Sequence, residues 1–260
     1  MTISDAASAS EALQSAETQR TARGRITREW ADLDVVTAYR VQRLTVDAKV
    51  AGGDSVIGVK LGLTSRAKQQ RMGISSPLTA VLLESYILPA DMPVPLAQLI
   101  QPRVEPEIVF VMARRLRGPG ITAATALDAV ETVYGGFEVI DSRFIDYDFA
   151  LADVVADNAS SAKFVVGPVG VSPRDLDLSM EAVVLSVDGQ VVATATGAAV
   201  QGHPAEALAL AANALAERGE FIEAGAIVLT GGLTDAVPLG PGVHISAEFT
   251  TLGGLTVTAE

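Results

Sequence analysis

The sequence lacks cysteine and has few histidines, and these two shortages exclude many familiar kinds of functional site. With no cysteine in 260 residues, the chain cannot form disulfides, zinc–thiolate sites, cysteine-ligated iron–sulfur clusters or a cysteine nucleophile. The only histidines are His203 and His244, which disfavours a histidine-rich metal site or a Ser–His–Asp triad. We expect His203 to stand just before a helix, where a capping or structural role competes with a catalytic one, and His244 to lie on the polar face of a strand.

Positive charge is scarce as well. The chain has 19 Lys and Arg residues against 31 Asp and Glu residues, a net charge of −12, so no nucleic-acid partner is expected. No apolar run is long enough to predict a membrane span. The first 25 residues do not combine a basic segment with an apolar run, so no secretory signal is predicted and we expect a cytoplasmic protein.

What the sequence does contain is typical of a folded domain with a large core. Hydrophobic residues make up 49% and charged residues 19% of the chain. Strand and helix patterns do not alternate regularly, and no glycine-rich phosphate-binding motif follows a strand, which disfavours a doubly wound nucleotide-binding fold. We expect an α+β fold with bent antiparallel sheets. Residues 1–86 are predicted to form a helical lead-in and a small α/β part, and residues 87–260 the catalytic body.

Apolar spacing predicts the main elements. Helices are predicted at residues 32–51, 122–134 and 204–218, and strands at residues 56–63, 104–112, 137–140, 226–230, 243–250 and 255–259. Asp188-Gly189, between two short apolar runs, predicts a two-residue hairpin.

Three glutamates are the first candidate site. Glu105 and Glu107 stand two apart in a predicted strand, so their side chains share one face. Such carboxylates repel each other unless a cation or protons intervene, and oxygen-only ligation suits Mg²⁺ or Mn²⁺. A pair of solvated surface glutamates is the simpler alternative. Glu138 shifts the balance, because a carboxylate with apolar neighbours on both sides is costly unless it is paired or binds metal.

Lys60 and two loops are the remaining candidates. Lys60 lies in an apolar strand between glycines, where it could hold a substrate carboxylate or transfer a proton, or simply extend along the surface of an edge strand. The small polar residues at 157–161 and the glycine-rich residues at 230–234 could bind an anion through hydroxyl and backbone N–H groups. Taken alone, both patterns favour an ordinary turn or loop over an anion site.

Seven segments in a fixed order give the chain a recognisable signature. They are GVKLGLTSRAKQQRMGI, VEPEIVFVM, FEVIDSRF, VVADNASS, GAAVQGHPA, LAERGEFIEAG and LTGGLTDAVPLGPG. Together they resemble the hydratase/decarboxylase branch of the fumarylacetoacetate hydrolase superfamily, from about residue 30 to residue 260.

The resemblance implies a fold, a metal and a set of site residues. The implied fold is a mixed β-roll of the fumarylacetoacetate hydrolase C-terminal type with a small N-terminal α/β part. Glu105, Glu107 and Glu138 match the family's ligands for Mg²⁺ or Mn²⁺, and Lys60 matches its active-site lysine. The positions that match the substrate pocket are Leu78, Ser161, Gly232, Leu233 and Thr234.

The resemblance also implies an activity on a small 2-oxo acid in the meta-cleavage degradation of aromatic compounds. We expect decarboxylation of 2-oxo-3-hexenedioate to 2-hydroxypenta-2,4-dienoate and CO₂, and the alternative is hydration of 2-hydroxypenta-2,4-dienoate. Family hydratases usually carry an acid at the position of Leu78, which favours the decarboxylase. Thr79-Ala80 departs from the Tyr-Gly of family decarboxylases, so the pocket wall and the preferred substrate are left open.

The resemblance further implies a homo-oligomer and association with the sister hydratase. Other superfamily activities, such as C–C hydrolysis or isomerisation, and an inactive supporting subunit are weaker alternatives.

Overall fold

The computed structural model describes residues 3–90 and 92–260, and at positions 67, 68 and 71 the backbone alone. The helices in this part of the chain are α1 (Ala6–Gln19), α2 (Val35–Ala51), α3 (Arg66–Met72), α4 (Ala123–Leu127), α5 (Leu151–Ala156) and α6 (Pro204–Glu217). The strands are β1 (Val56–Gly62), β2 (Leu78–Leu83), β3 (Arg103–Met112), β4 (Val130–Ile140), β5 (Ser161–Val166), β6 (Ala182–Val187), β7 (Gln190–Thr196), β8 (Ile227–Gly232), β9 (Val237–Pro238), β10 (His244–Phe249) and β11 (Gly254–Thr258).

Two sheets organise these strands. The larger has the order β2-β1-β8-β3-β4-β5, with the short β9 beside β3, and the smaller has the order β11-β10-β6-β7. Within the larger sheet, β1 and β8 run parallel and the other neighbouring pairs are antiparallel. The larger sheet is curled, so the expected mixed α+β roll is confirmed.

The main hydrophobic core lies where the two sheets meet α6. It contains Phe110 of β3, Phe137 of β4, Leu185 of β6 and Leu208 of α6, all fully buried. A second cluster joins α1, α2 and α5, with Leu13 among its buried residues. Burial of this much apolar surface holds the strand ends in place around the site described below.

Local side-chain caps explain where the longer helices begin. Asp5 accepts a hydrogen bond from the Ser8 N–H before α1, and Asp34 accepts one from the Thr37 N–H before α2. His203 caps α6 by accepting a hydrogen bond from the Ala205 N–H at its Nδ1, 3.1 Å away. Each cap satisfies a backbone donor that the first helical turn leaves free. The capping role of His203 is therefore confirmed.

One predicted helix is wrong. Residues 122–134 were expected to be helical, but the helix ends at Leu127 and β4 begins at Val130. The β-branched and aromatic residues that follow favour a strand, and they pair with β3 from Val109 to Met112. The predicted hairpin is confirmed: Asp188 and Gly189 both have positive φ, as the tight turn between β6 and β7 requires.

The division into residues 1–86 and 87–260 stays a prediction. In the structure, β1 and β2 from the first part share a sheet with β8 and β3 from the second. In the described part of the chain, no helix has the length and apolar character needed to cross a bilayer.

Candidate active site

The pairing of β3 with β4 brings three carboxylates together. Glu105 lies directly opposite Glu138, and Glu107, two residues further along the same face, lies opposite Gly136. One ligand oxygen from each of Glu105, Glu107 and Glu138 lies within 4.8 Å of the other two. The cluster proposed from the sequence therefore exists, and it comes from strand register alone.

These carboxylates lie in an environment that strongly disfavours their charge. Glu107 and Glu138 are fully buried. Burial, followed by repulsion from Glu138 and Glu105, raises the pKa of Glu107 well above its ordinary value. Among the described residues, Glu107 Oε1 has no hydrogen-bond partner. A site with this much unneutralised negative potential and an unsatisfied oxygen suits a bound cation.

Lys60 places a positive charge next to these carboxylates. It projects from β1, is 3% exposed, and its Nζ lies 2.8 Å from Glu138 Oε2 and donates to Ala159 O at 2.7 Å. Burial opposes the charged ammonium, but attraction to Glu138 and then to Glu105 raises the pKa of Lys60 above its ordinary value. Lys60 is therefore a cation and a proton donor in this state, not a free base.

Two glycines at the end of β8 allow other groups of the site to approach the backbone closely. The Gly231 N–H donates to Glu107 Oε2 at 2.7 Å, and a Cβ at Gly231 would lie 2.0 Å from Thr64 Oγ1. A Cβ at Gly232 would lie 2.2 Å from Glu105 Oε2. The sequence predicted that these glycines expose backbone N–H groups to an anion, and the anion that Gly231 contacts is the protein's own Glu107.

The polar loop at residues 157–161 connects the parts of the site. Asn158, Ala159 and Ser160 all have positive φ, which costs on the order of 1 kcal/mol or more for each non-glycine residue. Side-chain bonds hold this conformation: Asn158 bonds to both the N–H and the C=O of Val81 on β2, at 2.8 and 2.9 Å.

The same loop contacts Lys60 and Glu138 directly. Ala159 supplies the carbonyl that Lys60 contacts, and Ser161 Oγ donates to Glu138 Oε1 at 3.2 Å. The preceding Asp157 accepts hydrogen bonds from the buried guanidinium of Arg143. The loop is thus bonded to both Lys60 and Glu138.

A cavity of about 560 Å³ opens onto this cluster. Glu105 and Lys60 are among its polar lining residues, and the apolar part of its wall includes Leu63, Met72 and Phe149.

Only some of the predicted substrate-pocket positions line the cavity. Leu78 and Gly232 line the cavity. Ser161 reaches the site through Glu138. Leu233 packs in the main core and its N–H donates to Pro106 O, while Thr234 Oγ1 donates to Asp235 O. Contact of these positions with substrate stays a prediction.

Sequence reasoning missed several residues of the cavity wall, among them Arg103 and Tyr147. The Arg103 guanidinium carbon lies 4.1 Å from the centre of the Tyr147 ring. One signal could have identified Arg103: it stands two residues before Glu105 in a strand, and therefore on the same face. Tyr147 reaches the wall from a loop after β4, a position that spacing alone does not predict.

A family model and curated sequences match most of the chain. The model described as fumarylacetoacetate (FAA) hydrolase C-terminal matches residues 55–259. A 4-oxalocrotonate decarboxylase from Pseudomonas sp. (strain CF600) is 43% identical over 86% of this chain and 85% of its own length. A 2-keto-4-pentenoate hydratase from Burkholderia vietnamiensis (strain G4 / LMG 22486) is 39% identical over 86% of each chain.

A solved structure gives a close match over nearly the full length. It is the 4-oxalocrotonate decarboxylase from Pseudomonas putida G7 complexed with magnesium and adipate, with a TM-score of 0.95 and 37% identity. The match covers 98% of this chain and 97% of that one.

Proposed function

The chain belongs to the fumarylacetoacetate hydrolase family, and from this premise we propose that it is a metal-dependent decarboxylase of 2-oxo-3-hexenedioate. The products would be 2-hydroxypenta-2,4-dienoate and CO₂. The observation that carries the proposal is the convergence of Glu105, Glu107, Glu138 and Lys60 at one end of a cavity of small-molecule size. The similarity to decarboxylases over most of both chains supports it.

The carboxylate cluster fits the magnesium that this function requires. Each of the three carboxylates places one oxygen within 4.8 Å of the other two, and Glu107 Oε1 has no hydrogen-bond partner among the described residues. All three donors are oxygens, as a hard cation prefers, and Mn²⁺ would suit the same donors. We propose that Glu105, Glu107 and Glu138 hold the ion. When bound, it supplies Lewis-acid stabilisation of negative charge on the 2-oxo oxygen of the substrate.

The decarboxylation step does not require an external base. The bond between carbons 5 and 6 breaks, CO₂ leaves, and the electron pair passes through the conjugated alkene to the 2-oxo oxygen, which then takes a proton. Lys60 is the group placed to orient the diacid or to donate that proton, because its raised pKa keeps it protonated. The apolar part of the wall, which includes the partly buried Leu63, Met72 and Phe149, limits the access of water to the reacting chain.

Leu78 separates the decarboxylase from the hydratase reaction. It is buried, pairs with Gly62 across β1 and β2, and lines the cavity. Addition of water needs a group that shuttles a proton, and a leucine cannot do this. Hydratases nevertheless share 39% identity with this chain, so hydration of 2-hydroxypenta-2,4-dienoate is the second candidate.

An ultraviolet assay on the purified protein with Mg²⁺ distinguishes the two. One cuvette contains 2-oxo-3-hexenedioate and the other 2-hydroxypenta-2,4-dienoate, and CO₂ release is followed in parallel. Metal-dependent CO₂ release from the first substrate supports the decarboxylase. Consumption of the second substrate without CO₂ from the first contradicts it and identifies a hydratase.

We further propose that the protein acts in the cytoplasm as a homo-oligomer that also associates with the sister hydratase. Several apolar side chains along one surface support an association: Val36, Leu44 and Val50 of α2 and the neighbouring Val56 are all more than 40% exposed. Light scattering on size-exclusion fractions, with and without the hydratase, tests both associations. A monomer under all conditions would contradict them, and cell fractionation tests the location.

A further inference from the structure

Arg103 has a position in the cavity that the reaction as described so far does not use. It begins β3, and Arg103, Glu105 and Glu107 alternate along one face of that strand. Arg103 and Glu105 both line the cavity. The strand therefore carries a cation and the metal-binding carboxylates on one wall.

The surroundings of Arg103 hold its guanidinium in place without neutralising it. Among the residues that the structure describes, no carboxylate forms an ion pair with it. Its guanidinium carbon lies 4.1 Å from the centre of the Tyr147 ring, a stacking geometry. Tyr147 is itself anchored, because its hydroxyl lies 3.1 Å from Gln101 O and 3.0 Å from Ile140 O and shares its one proton between these two acceptors. An anchored arginine without a carboxylate partner is well suited to bind an anionic ligand.

The spacing along β3 matches the proposed substrate. Two residues of a strand span about 7 Å, which is comparable with the length of an extended six-carbon dioate. A substrate whose 2-oxo acid end lies at the carboxylate cluster would therefore bring its other carboxylate near Arg103. The proposed substrate has a carboxylate at that distance, and the hydratase substrate has none.

We propose that Arg103 binds the distal carboxylate of the diacid and that Tyr147 is the positioning residue that holds it there. This assignment rests on the proposed function, since it concerns the substrate of the same site. It makes Arg103 the residue that distinguishes a diacid from a 2-oxo monoacid.

The chemistry of decarboxylation predicts which kinetic constant depends on Arg103. The distal carboxylate is the group that leaves, so its negative charge falls as neutral CO₂ forms. The attraction to Arg103 is therefore strongest in the bound substrate and weaker in the transition state. Loss of Arg103 should raise KM and leave kcat unchanged or higher, the pattern of lost ground-state binding.

Binding of two matched ligands to the Mg²⁺-loaded protein tests the assignment without turnover. The ligands are 2-oxoadipate and 2-oxohexanoate, which differ only in the distal carboxylate, and calorimetry gives the ratio of their Kd values. We expect the protein to prefer 2-oxoadipate by about 10- to 100-fold, the effect of one hydrogen-bonded charge pair. Arg103→Met should bring the ratio close to one, and Arg103→Lys should retain part of it.

Two further variants separate this role from general effects. Arg174→Met removes the same charge from a side chain that is 87% exposed and should keep the original ratio. Tyr147→Leu should lower the ratio part of the way, while the Kd for Mg²⁺ stays close to that of the unchanged protein. A merely structural role of Tyr147 would weaken both ligands equally and leave the ratio intact.

The outcomes also separate this assignment from the proposed function. A ratio near one in the unchanged protein, or an unchanged ratio in Arg103→Met, overturns the assignment even if CO₂ release is observed. A clear ratio that depends on Arg103, in a protein that releases no CO₂ from 2-oxo-3-hexenedioate, supports the assignment and contradicts the decarboxylase. A kcat that falls as much as kcat/KM in Arg103→Met also overturns the assignment, because Arg103 would then act mainly in the transition state.

Discussion

Lys60 Nζ lies 2.8 Å from Glu138 Oε2, although their strands β1 and β4 are separated by β8 and β3 in the sheet. Only the curl of the sheet brings the two side chains face to face. Both are almost completely buried, so each removes much of the cost of burying the other. The ion pair therefore forms only when the sheet is curled, and it neutralises part of the negative charge of the site.

Removing one partner of this pair should destabilise the protein. Lys60→Met preserves most of the side-chain volume but leaves Glu138 buried without its cation, which costs about 3–5 kcal/mol. We expect that loss in the free energy of unfolding, measured by urea denaturation in EDTA. The double variant Lys60→Met/Glu138→Gln should recover most of it.

Lys163→Met is the matched control, because it removes the same charge from a partly exposed lysine of β5 whose Nζ donates to a backbone carbonyl. It should change the free energy of unfolding by less than about 1 kcal/mol. Equal losses of unfolding free energy in Lys60→Met and Lys163→Met would contradict a specific contribution of the Lys60–Glu138 pair to stability.

Glu107→Gln should abolish Mg²⁺-dependent turnover while the protein stays folded. The change keeps the shape of the side chain but removes one of the three charged ligands that we propose for the ion, so we expect at least about a 100-fold loss of activity. Circular dichroism checks the fold, and calorimetry with Mg²⁺ checks the ion's affinity. Glu131→Gln, at an exposed position of the same sheet, should leave both unchanged. Full activity in Glu107→Gln would exclude it as a ligand.

The raised pKa of Glu107 predicts a pH dependence for the metal-free protein. Burial and the neighbouring carboxylates raise this pKa well above 4.5 in the folded state. The folded state therefore binds this proton more tightly than the unfolded state, so the stabilisation is complete below pH 4.5 and is lost as pH rises through the folded-state pKa. In EDTA, the free energy of unfolding of the unchanged protein should fall relative to Glu107→Gln as pH rises from 4.5 towards neutral.

Saturating Mg²⁺ should reverse that trend, because an ion that binds the ionised carboxylates stabilises the folded state. Parallel urea titrations with Mg²⁺ and with EDTA provide the measurement. A difference between the unchanged protein and Glu107→Gln that does not vary with pH in EDTA would contradict the pKa shift.

The metal-binding candidates on the strands could be predicted from the sequence, whereas the contacts between distant segments could not. Glu105 and Glu107 follow from the two-residue period of a strand, and Glu138 from its apolar neighbours. The contact between Lys60 and Glu138 depends on sheet curl, which local spacing does not encode. Tyr147 comes from an irregular segment whose side-chain direction depends on contacts with distant backbone carbonyls.

The wrong helix at residues 122–134 has a related cause. The start of the segment is helical, and the sequence does not show that its second half gains a partner in β3. Pairing with a distant strand outweighs the weak local helical preference of Val130 and its neighbours. By contrast, β3 could be predicted from its own sequence, without knowledge of its partner strands. The predicted strand at residues 104–112 agrees with the observed strand, Arg103–Met112, to within one residue.

The space beside Gly232 should control metal affinity. A methyl group at this position would lie 2.2 Å from Glu105 Oε2, so Gly232→Ala must push the Glu105 carboxylate away from its neighbours. Because Mg²⁺ demands near-ideal geometry, we expect its Kd to rise by about tenfold or more, with the fold intact. Gly240→Ala is the control: its methyl group would meet only Val243 at 3.9 Å, an ordinary contact, and the Kd for Mg²⁺ should not change. Calorimetry on both variants decides the matter, and an unchanged Kd in Gly232→Ala would mean that Glu105 does not hold the ion from the position seen here.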